Sequence, residues 1–172
     1  MLTEEQALAL LRTHGMHPVR LAHSQAVAAF AFDLASRIAA RHPELSLDPE
    51  QVRIAALLHD IGRTRPGDHE PNSVAILKEE GHHDLAALVM HGTYYEIQKQ
   101  RGIDDPSLRP ETLANRIVAY ADARVRLEPV TLEQRMSELR QRRAAEHEKV
   151  RSVEMALPRF SEMERSLMEL AR

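Results

Sequence analysis

A chain of 172 residues with a formal net charge of −3 fits one domain, residues 1–172, whose folding removes roughly 70% of the unfolded chain's surface from water. It has no Cys, which excludes disulfides and thiolate metal sites and makes a cytoplasmic location the expectation; the opening Met1 to Gln6, with two Glu and no apolar run, does not read as a secretory leader. Charges of both signs are interspersed, which gives no support to a nucleic-acid binder, and the longest apolar run, Ala26 to Phe32, is far too short to cross a membrane.

In chain order, Thr3-Glu4-Glu5-Gln6 forms a capping box for a short helix over Ala7 to Arg12 that stops before Gly15. A longer helix spans about Pro18 to Arg41, with His23, Val27, Phe30, Leu34 and Ile38 on one stripe. After Pro43, Asp48 caps a third helix, Pro49 takes its first position and Gln51 completes a box. Val52, Ala55, Ala56 and His59 recur at helical spacing, so the His59 imidazole faces inward. Asp60 follows in the last turn, where a carboxylate opposes the helix dipole, and Gly62 is placed to end the helix in the left-handed conformation. Arg63 to Asp68 is a loop by its Pro and Gly content, closed by His69 and Glu70; a helix follows over Ser73 to Glu80, stopped by Gly81.

The next helix is expected over His82 to Met90, with Asp84, Ala87, Leu88 and His91 on one face; His82 and His83 at its start read as solvated. Ile103 to Pro110 is a loop. From Glu111 a stripe of Ala114, Ile117, Val118, Ala121, Asp122 and Val125 predicts a helix ended by Pro129. Thr131 caps a further helix to about His147, with Glu138 and Arg142 as an i,i+4 pair. Ser152 to Arg172 carries a last stripe of Val153, Leu157, Phe160, Leu167 and Leu170, bent at Pro158. No strand alternation, Gly-rich phosphate loop or repeat is visible. The expectation is an all-α, single-domain helical bundle. The two C-terminal helices, residues 131–172, either pad the core or offer an apolar stripe to a second copy in a homodimer.

Three of these helices place a polar group where an apolar one belongs. A mid-helix Asp122 on an apolar stripe is costly unless paired, and the same holds for His23 and for the His59-Asp60 pair. Each alone has an ordinary explanation: a satisfied core His, or a salt bridge from elsewhere. Together they are four potential ligands on facing helices, which is how helix bundles build metal sites, and a divalent cation accepts both neutral imidazole and ionised carboxylate.

The order His23, then His59-Asp60, then Asp122, with the string LLHDIGR, resembles the HD superfamily of metal-dependent phosphohydrolases, in its HDIG subgroup. The similarity extends to His69-Glu70 before Ser73 to Leu77, to LVMHG with His91, and to RIVAYADARV with Asp122, covering residues 16–126 as an HD core. The resemblance implies a helical bundle of the HD-domain type with two extra C-terminal helices. It implies one or two divalent ions per chain (Mn, Fe, Mg, Co or Ni). His23, His59, Asp60 and Asp122 would hold the first, and His69 and His91 the second, with Asp60 bridging. Where several two-metal members have paired His, this chain has His91-Gly92.

The activity implied is hydrolysis of a nucleotide or other small phosphate ester, monoester or diester, by metal-activated water. Asp60, Arg63 and Arg65 are the catalytic candidates, the arginines as counter-charges for the phosphoryl group; ordinary solvated loop arginines are the equal alternative. Glu70 is a weaker candidate for a base. Two other readings stand beside this one: a di-iron oxygenase, since some relatives use the same six-ligand pattern on dioxygen, and a non-catalytic nucleotide-binding regulatory domain.

Overall fold

Side-chain caps fix where several of the helices begin. In the computed structural model, which describes residues 2–172 and so leaves Met1 of the expected 1–172 domain outside the described residues, the first helix, α1 (Glu4–Thr13), starts with the expected box, Thr3 and Gln6 bonding each other's main-chain N–H. α2 spans Pro18–Arg41. α3 (Pro49–Leu58) is capped by Asp48, which accepts from the N–H groups of Glu50 and Gln51 at 2.9 and 3.2 Å; the cap is one-sided, with no return bond from the Gln51 side chain. There follow α4 (His69–Glu79), α5 (His83–Ala86), α6 (Tyr94–Gln100), α7 (Leu113–Arg124, capped by Thr112), α8 (Leu132–Arg142, with a Thr131/Gln134 box) and α9 (His147–Leu170). Among the described residues there is no strand beyond the isolated bridge between Val125 and Pro129. The fold is all-α, as expected.

α2, α3 and α7 pack on one another, and α1 closes over α3. The core they share is built from Val27, Leu34 and Ile38 of α2, Val52, Ala55 and Leu58 of α3, and Ile117, Val118 and Ala121 of α7. α9 runs unbroken through Pro158 and packs on α6, α7 and α8. Its Val153, Phe160 and Leu167 are buried there, and Leu157 and Leu170 pack at the edge. Most of the C-terminal stripe thus packs within the chain. No helix among the described residues is long and apolar enough to cross a membrane.

Several expected boundaries differ, each for a physical reason. α3 ends at Leu58, and His59 and Asp60 lie just past it, followed by a 3-10 turn over Ile61–Thr64. Gly62 is not left-handed; its requirement is proximity, since an added Cβ would fall on the carbonyl of His69 and the N–H of Ser73. Ser73 Oγ stitches the two segments by donating to the carbonyls of His59 or His69 (2.7 and 2.9 Å) and accepting from Gly62 N–H at 2.9 Å. His69 and Glu70 are therefore the first turn of α4 rather than the end of a loop. α5 stops at Ala86, so Leu88 and His91 do not share a helical face with Asp84. The chain after it satisfies its polar groups sideways: Asn115 donates to the carbonyls of Leu88 and Met90 at 2.6 and 2.7 Å. Glu70 accepts from the N–H groups of His91, Gly92 and Tyr94. α6 was not anticipated; its first N–H group is capped by that remote Glu70. α7 ends at Arg124, ahead of Pro129, because Val125 turns extended to pair with Pro129. α8 ends at Arg142, short of His147, and α9 starts there, ahead of Ser152.

Candidate metal centre

The expected ligands converge. Each of three histidines is oriented by a main-chain carbonyl that accepts from its Nδ1–H. His23 donates to Arg126 at 2.7 Å, His59 to Ala56 at 2.6 Å, and His91 to Val89 at 2.8 Å. This leaves each Nε2 aimed at the carboxylates. His23 Nε2 is 3.0 Å from Asp122 Oδ1; His59 Nε2 is 3.6 Å from the same oxygen and 3.8 Å from Asp60 Oδ1. His91 Nε2 lies 3.7 Å from Asp60 Oδ1 and 3.9 Å from Asp122 Oδ2. His69, from the first turn of α4, brings Nε2 to 3.5 Å from Asp60 Oδ1. The rings are close, with centroids 5.5 Å apart for His23 and His59, 4.6 Å for His59 and His91, and 5.3 Å for His69 and His91.

This donor set fits a cation. A neutral imidazole whose Nδ1 carries the proton presents a lone pair at Nε2, and here those lone pairs meet carboxylate oxygens, which are also acceptors. A proton can lie between them, as the 3.0 Å contact of His23 Nε2 with Asp122 Oδ1 allows, and so can a metal cation. His59 Nε2 and Asp60 Oδ1 are both buried with no hydrogen-bond partner, a costly arrangement unless the pair is shared with an ion. Two overlapping groups have ligand atoms close enough for one ion each: His23, His59 and Asp122, and His59, Asp60 and His91. Main-chain carbonyls holding the distal nitrogens are the usual outer-shell support of ligating histidines. The chemistry of the cluster follows its charge. Burial works against ionised Asp60, but His59, Arg63, His69 and His91 outweigh it and hold the carboxyl well below the ordinary range. At Asp122 burial is likewise overcome, chiefly by His23 and His59. His69 is pushed down to about 4, by burial first and against the pull of Asp60, so its ring is neutral at pH 7.

The remaining candidates divide. Arg63 Nε donates to Asp60 Oδ2 at 2.5 Å, and its Nη2 to His69 Nε2 at 3.0 Å; it sits against the cluster. Arg65 turns to the rim and forks onto Glu79 at 3.1 and 2.5 Å. Glu70, 5% exposed, spends both oxygens on three main-chain N–H groups, at 3.2, 2.9 and 3.1 Å, and so anchors the His91 segment instead of serving as a base. Gly92 makes that anchor fit: a Cβ there would lie 2.6 Å from Glu70 Oε1, which is why a second His has no room beside His91. His82 and His83 are away from the cluster.

Above the cluster opens a cavity of about 460 Å³, a size suited to a small ligand. Arg63, His69, His91 and Asp122 are at its base, Tyr94 at its side, and Arg20, Arg135, Arg142 and Arg143 around it. Arg20 Nη1 reaches 3.9 Å from Asp60 Oδ2, and Arg135 Nη2 3.8 Å from Asp122 Oδ1. None of these four arginines is a site candidate in the sequence; Arg142 figures there only as the i,i+4 partner of Glu138, which it faces at 3.5 Å. For Arg135 the signal was present: Leu132, Arg135, Met136 and Leu139 share one stripe of α8, a charge among apolar residues as at Asp122.

The matching family is the HD domain, over residues 20–127. An uncharacterized protein of Methanocaldococcus jannaschii is 34% identical over 125 residues, 69% of this chain and 72% of that protein. A tRNA (cytidine(56)-2'-O)-methyltransferase of Picrophilus torridus is 29% identical over 134 residues, 74% of this chain, but the shared region spans only 37% of that longer protein. No solved structure matches the chain. With the match covering more than half of the sequence and the His, His-Asp and Asp segments meeting at one point, the chain belongs to the HD domain family.

Proposed function

We propose that this protein is a divalent-metal-dependent phosphohydrolase acting on a small phosphorylated compound, a nucleotide foremost. The observation that carries the proposal is the set of Nε2 lone pairs facing the buried carboxylate of Asp60 and the half-buried one of Asp122 beneath a cavity ringed by arginine. His23, His59, Asp60 and Asp122 would hold one ion, and His69 and His91 with Asp60 a second. Such an ion lowers the pKa of a bound water to near neutrality and offsets charge on a phosphoryl oxygen.

The protein's own groups do the rest. Main-chain carbonyls keep the imidazoles in the tautomer that presents Nε2. Glu70 holds the His91 segment in place. Arg63, which donates to Asp60, lines the cavity and would offset charge on a phosphoryl group bound there. Arg65, paired with Glu79, would contribute at the rim only. A cytoplasmic site of action is in keeping with a chain free of Cys. A di-iron oxygenase would use the same donors, but the arginine-rich cavity favours a phosphate ester.

Elemental analysis of purified protein, followed by hydrolysis assays over nucleotides and diesters with Mn, Mg, Fe, Co and Ni, tests the proposal. Metal-dependent phosphate release supports it. Oxygen consumption by an iron-loaded protein that releases no phosphate would replace it with the oxygenase.

A further inference from the structure

The C-terminal extension lies beyond the matched segment 20–127, yet it forms one wall of the cavity over the cluster. Arg135 and Arg142 come from α8, Arg143 from the residue that ends it, and Lys149 from the first turn of α9. Their charge is incompletely matched. Glu138 is shared, accepting from Arg135 Nη1 at 2.5 Å and facing Arg142 Nη1 at 3.5 Å. Arg135 is only 8% exposed, and its Nε has no partner. Lys149 pairs with Glu146. Arg143, half-buried, forms no side-chain hydrogen bond or ion pair among the described residues. With Asp122 counted, 3.8 Å from Arg135, four cations meet three carboxylates here, and Arg143 pairs with none of them.

Guanidinium groups gathered around a partly enclosed space repel one another and lose solvent. Burial, then the like charges of Arg142 and Arg63, depress the pKa of Arg143. An anion relieves both penalties, and the planar fork of Arg suits phosphate in particular. Asp60 and Asp122 do not serve as that anion, because the histidines and the proposed metal already claim them. The cavity has volume for a ligand that spans from the cluster to the wall.

Building on the phosphohydrolase reading, we propose that this wall is a second anion subsite, so that the substrate carries two anionic groups: one phosphoryl at the His/Asp cluster, the other held by Arg142 and Arg143. Arg135 sits between the two and bridges the wall to Asp122.

The test is calorimetric titration of the metal-loaded full chain with two adenosine ligands that resist hydrolysis, the α,β-methylene diphosphate and the 5'-thiomonophosphate. It needs no turnover. The wild type should bind the diphosphate analogue at least about tenfold tighter, the weight of one charge-assisted contact. In the Arg142→Gln, Arg143→Gln double variant that gap should close, with affinity for the monothiophosphate and metal content unchanged. Arg151→Gln, an exposed arginine of the same extension outside this cavity, should leave the gap intact. Equal affinities in the wild type, a gap that survives the double variant, or a gap that Arg151→Gln also closes would each overturn the subsite. Loss of the subsite with phosphate release still observed leaves the hydrolase standing; a working subsite on a protein that hydrolyses nothing removes the hydrolase instead.

Discussion

Replacing Glu70 by Gln keeps the shape of a buried side chain and removes its charge, and the structure sets the size of the effect. Glu70 Oε2 accepts from His91 and Gly92 N–H, and Oε1 from Tyr94 N–H. A Gln can keep its oxygen on the first two but then turns an NH₂ toward Tyr94 N–H, donor against donor. One charge-assisted bond is lost, about 2–3 kcal/mol. For a chain of this length that lowers Tm by about 4–12 °C. The cost should also depend on pH. Burial alone would raise the Glu70 pKa, but His91, His69 and the amides of Gly92 and Tyr94 hold it below the ordinary value. The contribution is therefore fully present above the unfolded pKa of about 4.3 and lost as pH falls through the lower folded value. Thermal scans of wild type and Glu70→Gln should show a gap that is full at neutral pH and narrows in acid. Metal titration should show weakened binding where His91 is needed, with the ion held by His23, His59 and Asp122 retained. A variant as stable as the wild type at pH 7, with unchanged metal content, would refute the account of Glu70 as the anchor of this segment.

We further predict that Gly62→Ala costs more than about 3 kcal/mol, because its Cβ meets main-chain atoms of α4; ordinary soluble yield and Tm would contradict this. Asp60→Asn should abolish the thermal stabilisation that added metal gives, since that stabilisation is linkage to binding. It should also destabilise the metal-free protein, where His59 and Arg63 keep the carboxyl ionised despite its burial; a metal-dependent rise in Tm surviving in this variant would remove Asp60 from the site. His69→Ala should reduce metal content from two ions per chain to one, read by elemental analysis, and a wild type that stays at one ion under saturation would show His69 to have another role.

What could be read from the sequence was whatever periodicity encodes. His23, His59 and Asp122 stood out because each interrupts an apolar stripe, and α2 kept the boundaries its prolines and stripe gave it. The segment from His82 to His91 could not be read that way. The carbonyls of Leu88 and Met90 are claimed by Asn115 and the N–H groups of His91 and Gly92 by Glu70, side chains 20 or more residues away, so local helical spacing lost to distant partners. Gly62 was assigned a turn conformation from its place after a helix, whereas its requirement comes from the backbone of α4, which no local pattern reports. Arg135 carried the same signature as Asp122 and was readable in principle. Arg142 and Arg143, at the open end of α8, look like any basic helix terminus until the chain folds α8 over the cluster.

The three histidines that answer to main-chain carbonyls have a consequence for how such a site changes over generations. The atoms that aim the imidazoles belong to Arg126, Ala56 and Val89, but to their peptide groups, which every residue possesses. Substitution at any of these positions alters a side chain and leaves the aiming oxygen in place. The aim is therefore inherited with the backbone path, and the lineage is free to vary those neighbours so long as helix ends stay put. Drift can redecorate the walls of the cavity, and with them the choice of substrate, while the orientation of the donors beneath passes on unaltered.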